Sequence, residues 1–278
     1  MNMTNQSYDL KRIENQENYI RQHKQHHRRV TLIRSLLLIC FLGLWELASS
    51  LNWIDSFFFS SPRLILLSLW QMILDGSFFY NTGVTLLETL LSFLLVLLIS
   101  VLSATVLWSS KGIFEVCDPY LVILNSLPKS ALAPLFIVWL GTGITTIIVA
   151  GISVALFGSI ISLYTGFRQI EEDKLKLVYT LGGTKYHAFT KVVLPGSIPV
   201  ILSNMKVNIG LSLVGVIIGE FLAARRGLGY LIIYGTQVFK LNMVITSIII
   251  LCLIAALFYK IIQKLEHLND RKVKQTPS

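Results

Sequence analysis

The chain has 278 residues, 54% of them hydrophobic and 14% charged, with a mean hydropathy of +0.66, which is too apolar for an ordinary soluble domain. Its formal net charge of +9 raises nucleic acid as a partner, but the basic residues gather at the two ends and in one polar insert, as in the cytoplasmic segments of membrane proteins, so nucleic acid is not expected. The three cysteines, Cys40, Cys117 and Cys252, lie in or beside apolar runs without metal-ligand spacing and read as packing residues.

Residues 1–31 form a polar, basic tail expected in the cytoplasm. His23, His26 and His27 lie in it without a carboxylate or cysteine framework, so they belong to a membrane-proximal basic segment and no metal site is expected. Residues 32–50 are long enough for a first span. Ala48, Ser49 and Ser50 after a basic flank resemble a signal-peptide end, but the polar lead is longer than usual, which predicts an uncleaved anchor. Residues 51–83 are expected outside, with an amphipathic element from Leu64 to Ile73 in the interface near Trp53 and Trp70.

The core of the chain, residues 84–262, is expected to hold five further spans. The second covers Val84–Trp108, and the third, Tyr120–Leu140, is interrupted by Pro128 and Pro134 with Lys129 between them. After the turn Gly141-Thr142-Gly143 comes the fourth span, Ile144–Tyr164. The fifth and sixth run over Val200–Leu222 and Met243–Ile262, before a basic tail, residues 263–278. Six spans place both termini on one side, and the basic residues at the two ends assign that side to the cytoplasm, with Arg225, Arg226 and Lys240 outside.

Between the fourth and fifth spans, residues 171–199 are polar and amphipathic. Leu175, Val178 and Leu181 recur at helical spacing behind an acidic first turn, which predicts a short helix with one apolar face. Gly182 and Gly183 stop it, and Thr184 caps a second helix carrying Tyr186, Phe189, Val192 and Val193, which Pro195 ends. This pattern fits a docking surface for a cytoplasmic partner, and it fits equally a hairpin lying on lipid headgroups.

Ionisable groups inside spans are costly and face a cavity, a partner or a path. Lys129, between two prolines, is the first candidate for a solute path, with Pro128, Pro134 and Glu220. The structural alternatives are pairing of Lys129 with Glu115 or Asp118 and of Glu220 with Arg225 or Arg226. Glu46 and Glu88 are read as gate contacts or as interhelical hydrogen bonds.

The run Leu181-Gly182-Gly183, followed by Phe189, Val192, Val193, Leu194-Pro195 and Ile198-Pro199, resembles the cytoplasmic "EAA" loop of binding-protein-dependent ABC importer permeases. Gly182 matches the motif glycine and Leu194-Pro195 its Leu-Pro. The motif's glutamate and two alanines fall at Lys176, Leu177 and Val178. Leu127 to Leu135 with Trp139 to Gly143 is similar to the third-span signature of the nitrate, sulfonate, taurine and thiamine-precursor subgroup, and Ser61-Pro62, Thr85-Leu86, Glu220 and Gly227-Leu228-Gly229-Tyr230 are similar to its other landmarks.

The resemblance implies an all-α polytopic permease of six transmembrane helices in a bacterial inner membrane. Its loop would couple to an ABC ATPase through Leu175, Lys176, Val178, Gly182, Gly183, Tyr186, Phe189, Leu194 and Pro195. It further implies a second permease copy, a homodimer, and an extracytoplasmic binding protein that delivers a small solute. The chain has no G-x-x-x-x-G-K-[ST] phosphate loop, so ATP and Mg are expected on the partner ATPase and no cofactor on this chain. No nucleophile-base arrangement is legible, so the chain is read as a transport subunit and not an enzyme. The competing classes are an ion-gradient-driven secondary transporter built on the broken third span and a membrane scaffold that recruits a protein through the insert.

Overall fold

The computed structural model describes residues 29–275. Most of the basic N-terminal tail, with His23, His26 and His27, lies outside the described residues. Two compact units divide the chain, one ending at Leu66 and the other beginning at Leu67.

The first unit holds α1 (Arg29–Ser50), α2 (Ser56–Phe59) and the start of α3 (Pro62–Leu74). Apolar side chains along α1 such as Leu36, Leu38, Phe41 and Leu44 are exposed, as required of a helix solvated by lipid. Ser61 Oγ accepts the Leu64 N–H at 3.3 Å ahead of Pro62 in the first turn of α3, where a missing N–H costs nothing. Glu46 Oε2 accepts the Arg63 N–H at 3.0 Å. Glu46 is therefore a helix-capping group, not a gate contact.

The second unit contains α4 (Ser77–Ser109), α5 (Lys111–Ser126), α6 (Lys129–Leu140), α7 (Ile144–Arg168), α8 (Glu172–Thr180), α9 (Lys185–Ala188), α10 (Leu194–Gly196), α11 (Ile198–Ala223), α12 (Leu228–Gln237) and α13 (Leu241–Gln275). α4 begins seven residues before its expected start because Asp75 and Gly76 set its N-terminus. Gly76 takes φ +75°, and Asp75 Oδ1 accepts the Ser77 N–H at 2.8 Å. Hydrogen bonding to Ser77 holds the Asp75 carboxyl below its ordinary value. A carboxylate with a depressed folded-state pKa adds stability above its unfolded value and loses it as pH falls through the folded one. Asp75→Ala is accordingly expected to cost roughly 0.5 kcal/mol near neutrality, the low end for an exposed cap; thermal melts should show the gap from wild type closing in acid.

The third span is broken at Pro128, as its sequence predicts, but Pro134 lies inside a continuous helix and does not interrupt it. α5 starts at Lys111, with only Ser110 between it and α4, and α5 and α6 meet at 95° across Leu127-Pro128. Pro128 takes an extended ψ of 101° as the N-cap of α6, because its ring and its effect on Leu127 exclude a continuous helix. Among the described residues there are thus five long apolar helices, and six spans when the bent pair is taken as one.

α7 and α11 lie at the centre of the bundle through backbone contact. The Cα of Gly215 faces Gly151, where an added Cβ would stand 2.7 Å from the Gly151 Cα and 2.8 Å from the Ala150 carbonyl; at Gly219 it would meet the Ile147 Cα at 2.9 Å. Small residues four apart permit this approach, which is how spans associate where lipid removes the hydrophobic drive. α4 and α13 pack around the pair, with Phe93, Ile209, Leu213, Leu228, Ile250 and Ile254 in one core cluster.

Candidate functional site

The insert forms a compact platform at one end of the bundle, hereafter the insert side. α8 ends in a Schellman turn: the Gly183 N–H donates to the Val178 carbonyl at 2.8 Å and the Gly182 N–H to Tyr179 at 3.0 Å. Gly182 takes φ +79°, and a Cβ on Gly183 would lie 2.5 Å from Val178 Cγ1, so each glycine has its own reason. Thr184 and His187 cap α9 together, His187 Nδ1 accepting the Thr184 N–H at 3.2 Å.

Pro195 does not end the second helix. Phe189–Val193 is a π-turn, in which the Leu194 N–H reaches back to the Phe189 carbonyl, and the chain stays helical through Gly196. The wider turn accommodates the missing proline N–H.

The platform has two faces. Inward, the Phe189 ring lies 5.3 Å from Trp108 and 5.7 Å from Phe167, beside buried Leu163, Tyr164 and Val193 and half-buried Leu175. Lys185 Nζ donates to the Ser109 carbonyl and stands 5.9 Å over the Trp108 ring, tying α9 to the end of α4. Outward, Leu177, Tyr179, Leu181 and Tyr186 are exposed, Leu181 by 79% and Tyr186 by 73%. Among the residues read as coupling contacts, Tyr186 faces out, whereas Leu175, Val178, Phe189 and Leu194 are partly buried. Pro195 is exposed, and Lys176 pairs with Asp173 at 3.1 Å on the solvent surface.

The four residues read as a solute path do not converge. Lys129 Nζ donates to the Leu124 carbonyl and, at 3.3 Å, to that of Asn125, with the Phe157 ring 5.4 Å away. It satisfies the open C-terminus of α5, as cations do at that end of a helix, and it pairs with neither Glu115, which faces Lys111 at 3.8 Å, nor Asp118. Pro134 sits exposed within α6.

Glu220 belongs to a buried cluster at the opposite, far end. Thr85 Oγ1 donates to Glu220 Oε1 at 2.7 Å and accepts the Leu228 N–H at 2.9 Å. The Gly229 N–H donates to Glu220 Oε2 at 2.5 Å, and Asn81 Oδ1 accepts the Gly227 N–H at 2.9 Å. Three leading N–H groups of α12, otherwise orphaned, are thus satisfied by side chains from α4 and α11. Gly227 takes φ +106°, and its Cβ would fall 2.4 Å from the Glu220 carboxyl. Glu220 therefore clamps the turn into α12 instead of pairing with Arg225 or Arg226. Arg226 stacks 5.3 Å from the Tyr80 ring.

Two features escaped the sequence reading. Ser159 Oγ donates to Asn204 Oδ1 at 2.8 Å and accepts from Asn208 Nδ2 at 2.8 Å, inside the α7–α11 contact and beside a cavity of about 470 Å³ lined also by Ser162 and Ser203. On the insert side Lys206 pairs with Glu266 between α11 and α13. The i, i+4 spacing of Asn204, Asn208 and Ser212 within an apolar run was the available signal.

A multi-pass helical bundle with a compact amphipathic platform at one end fits a membrane-transport subunit. The family model described as "Binding-protein-dependent transport system inner membrane component" matches residues 96–275, and the chain belongs to that family: it is the permease subunit of an ABC importer. An ABC transporter permease protein of Haemophilus influenzae is 29% identical over 86% of this chain and 97% of its own length. The formylaminopyrimidine transport permease ThiX of Halalkalibacterium halodurans is 25% identical over 84% and 93%, and the taurine permease TauC of Escherichia coli is 24% identical over 83% and 85%. Among solved structures, a chain of the inward-facing MetNI methionine transporter shares the fold, with a TM-score of 0.60 at 18% identity over 66% of this chain and 92% of that one. Family membership disfavours the ion-gradient carrier.

Proposed function

We propose that this permease works as a homodimer with two copies of a separate ABC ATPase seated under residues 171–199, and with an extracytoplasmic binding protein on the far side. Both termini then lie in the cytoplasm. Residues 32–50 act as a membrane anchor and residues 84–262 as the permease core. The solute is small, of the sulfonate, nitrate, taurine or vitamin-precursor kind that stands in the names of related permeases. ATP and Mg bind the ATPase, and this chain holds no cofactor.

The observation that carries the reading is the two-faced platform. Its inner face is packed on Trp108, Phe167 and Tyr164, and its outer face presents Leu177, Leu181 and Tyr186 to a partner. Lying flat on lipid would use the same apolar residues, but it would not require the clamp of Lys185 onto the end of α4. Closure of an ATPase dimer beneath such a platform moves α8 and α9 as one body. Their contacts with α4 and α7 pass that motion to the spans.

A pull-down of the tagged chain from its native membrane in mild detergent, after light crosslinking, tests this reading by mass spectrometry. Recovery of an ATPase and a binding protein is the expected result. Recovery of this chain alone, with crosslinking controls intact, overturns it.

A further inference from the structure

The α7–α11 contact carries more polar groups than its own packing uses. In the buried triad of Ser159, Asn204 and Asn208, the hydrogen bonds engage Asn204 Oδ1 and Asn208 Nδ2. The other end of each amide, Asn204 Nδ2 and Asn208 Oδ1, makes no hydrogen bond among the described residues. Both residues line the cavity of about 470 Å³, and Ser162 and Ser203 extend its polar wall. Serines in these helices otherwise return the hydroxyl to a carbonyl of the preceding turn, as Ser126, Ser153 and Ser247 do. Ser162 and Ser203 are exposed, and neither hydroxyl makes a hydrogen bond among the described residues.

These groups lie at membrane depth. At 1.5 Å per residue, Ser159 and Asn208 stand roughly 15 Å in from the insert-side ends of α7 and α11, about half of a hydrocarbon core. Lipid offers no partner to a hydroxyl there, so the groove opens onto water or another protein surface.

The groove is also without charge, since none of its lining residues is ionisable. Cations of the adjoining segments are already engaged. Lys129 donates to the Leu124 and Asn125 carbonyls at the end of α5, and Lys206, next to Val207 in α11, pairs with Glu266. An anion entering the groove would lose water at membrane depth and find no counter-charge, whereas hydroxyls and amides replace the hydrogen bonds that a neutral solute gives up.

We propose that this groove is a solute subsite selective for a neutral, hydrogen-bonding molecule with an apolar face, such as a substituted heteroaromatic ring, and selective against sulfonate, nitrate and other anions. The edge of the ring meets Ser162, Ser203 and the free ends of the two amides, and its face lies on Val207 and Leu211. The cavity's volume lies in the range of small-molecule sites. The second permease copy proposed above covers the open side. This inference rests on the importer reading and narrows the solute classes given there.

The test uses the full chain with its co-purified ATPase in nanodiscs at mildly alkaline pH. Binding is measured directly for two matched pairs, 4-amino-5-hydroxymethyl-2-methylpyrimidine against its 5-carboxylate and nicotinamide against nicotinate, with ethanesulfonate and nitrate as further anions. Saturable binding of at least one neutral probe is expected, with its anionic counterpart about tenfold weaker or more. Ser162→Ala combined with Ser203→Ala removes two hydroxyls that the fold does not use, so affinity should fall about fivefold or more while the melting temperature holds. In a chain whose three cysteines are replaced by serine, Ser203→Cys should react with a charged, water-soluble maleimide, and the bound neutral probe should slow that reaction. No saturable binding by either neutral probe, equal or tighter binding of an anion, or unchanged affinity in the double variant overturns the subsite. So does a Ser203→Cys thiol that stays unreactive, because the groove is then closed to water. Failure of the ATPase to co-purify with the wild-type chain removes the importer reading and the subsite with it, whereas an ATPase retained without probe binding sinks the subsite alone.

Discussion

Gly215→Leu is expected to prevent stable folding of the bundle. The Cβ position at Gly215 already falls 2.7 Å from the Gly151 Cα, 2.8 Å from the Ala150 carbonyl oxygen and 3.0 Å from Val154 Cγ2. Two of those three atoms are backbone and cannot swing aside, so the central helices must separate. Separation would also pull Ser159 from Asn204 and Asn208, leaving polar groups unpaired inside a membrane, where nothing else satisfies them. Overpacking alone costs up to about 3 kcal/mol, and the unpaired groups add to it. Gly210 is the internal control, because a Cβ there meets nothing within 4 Å. Gly210→Ala should leave the protein as stable or slightly more so, as alanine is preferred over glycine in a helix. Size-exclusion profiles and thermal melts of the two variants in detergent decide the matter. A monodisperse Gly215→Leu protein melting with wild type would mean that α7 and α11 do not meet as described.

Tyr186→Asp combined with Leu181→Asp is expected to abolish ATPase association and leave the melting temperature unchanged. Both side chains are more than 70% exposed and contribute little to the chain's own packing, yet they form the apolar crest of the platform. Aromatic anchors at interface centres commonly carry 2 kcal/mol or more, and a charge placed there adds a desolvation cost, so at least a hundredfold loss of affinity is expected. Phe189→Ala should behave differently. Its ring is held between Trp108 and Phe167, so truncation costs about 3 kcal/mol of stability and loosens the platform before it touches any partner. Melts and co-purification measured together separate the two faces. Equal loss of stability in both variants would remove the distinction between an inner and an outer face.

The clustering of the landmarks gives the sequence motifs a common physical role. Thr85 lies more than a hundred residues before Glu220 and the Gly227-Leu228-Gly229 run, yet each contributes to closing one helix N-terminus. Gly227 supplies the positive φ, Gly229 the close approach, and Glu220 the acceptor. This argues for a fixed far-side turn as a requirement of the fold.

Composition and run lengths alone determined that the chain is helical and membrane-spanning, because only uninterrupted apolar segments of about twenty residues satisfy their backbone in lipid. The two glycines ending α8 and the proline breaking the third span were equally legible, since φ > 0 and a missing N–H are properties of single residues. Periodicity also found that the insert is amphipathic. It did not find which of its apolar residues face inward, because Phe189 and Tyr186 lie three apart and share a stripe until α4 and α7 cover one of them. The partners of Lys129 and Glu220 were hidden for a related reason. Sequence lists the nearby charges, Glu115, Asp118, Arg225 and Arg226, whereas both groups are taken by backbone at helix ends, and an orphan N–H or C=O acquires its position only when the helices have packed.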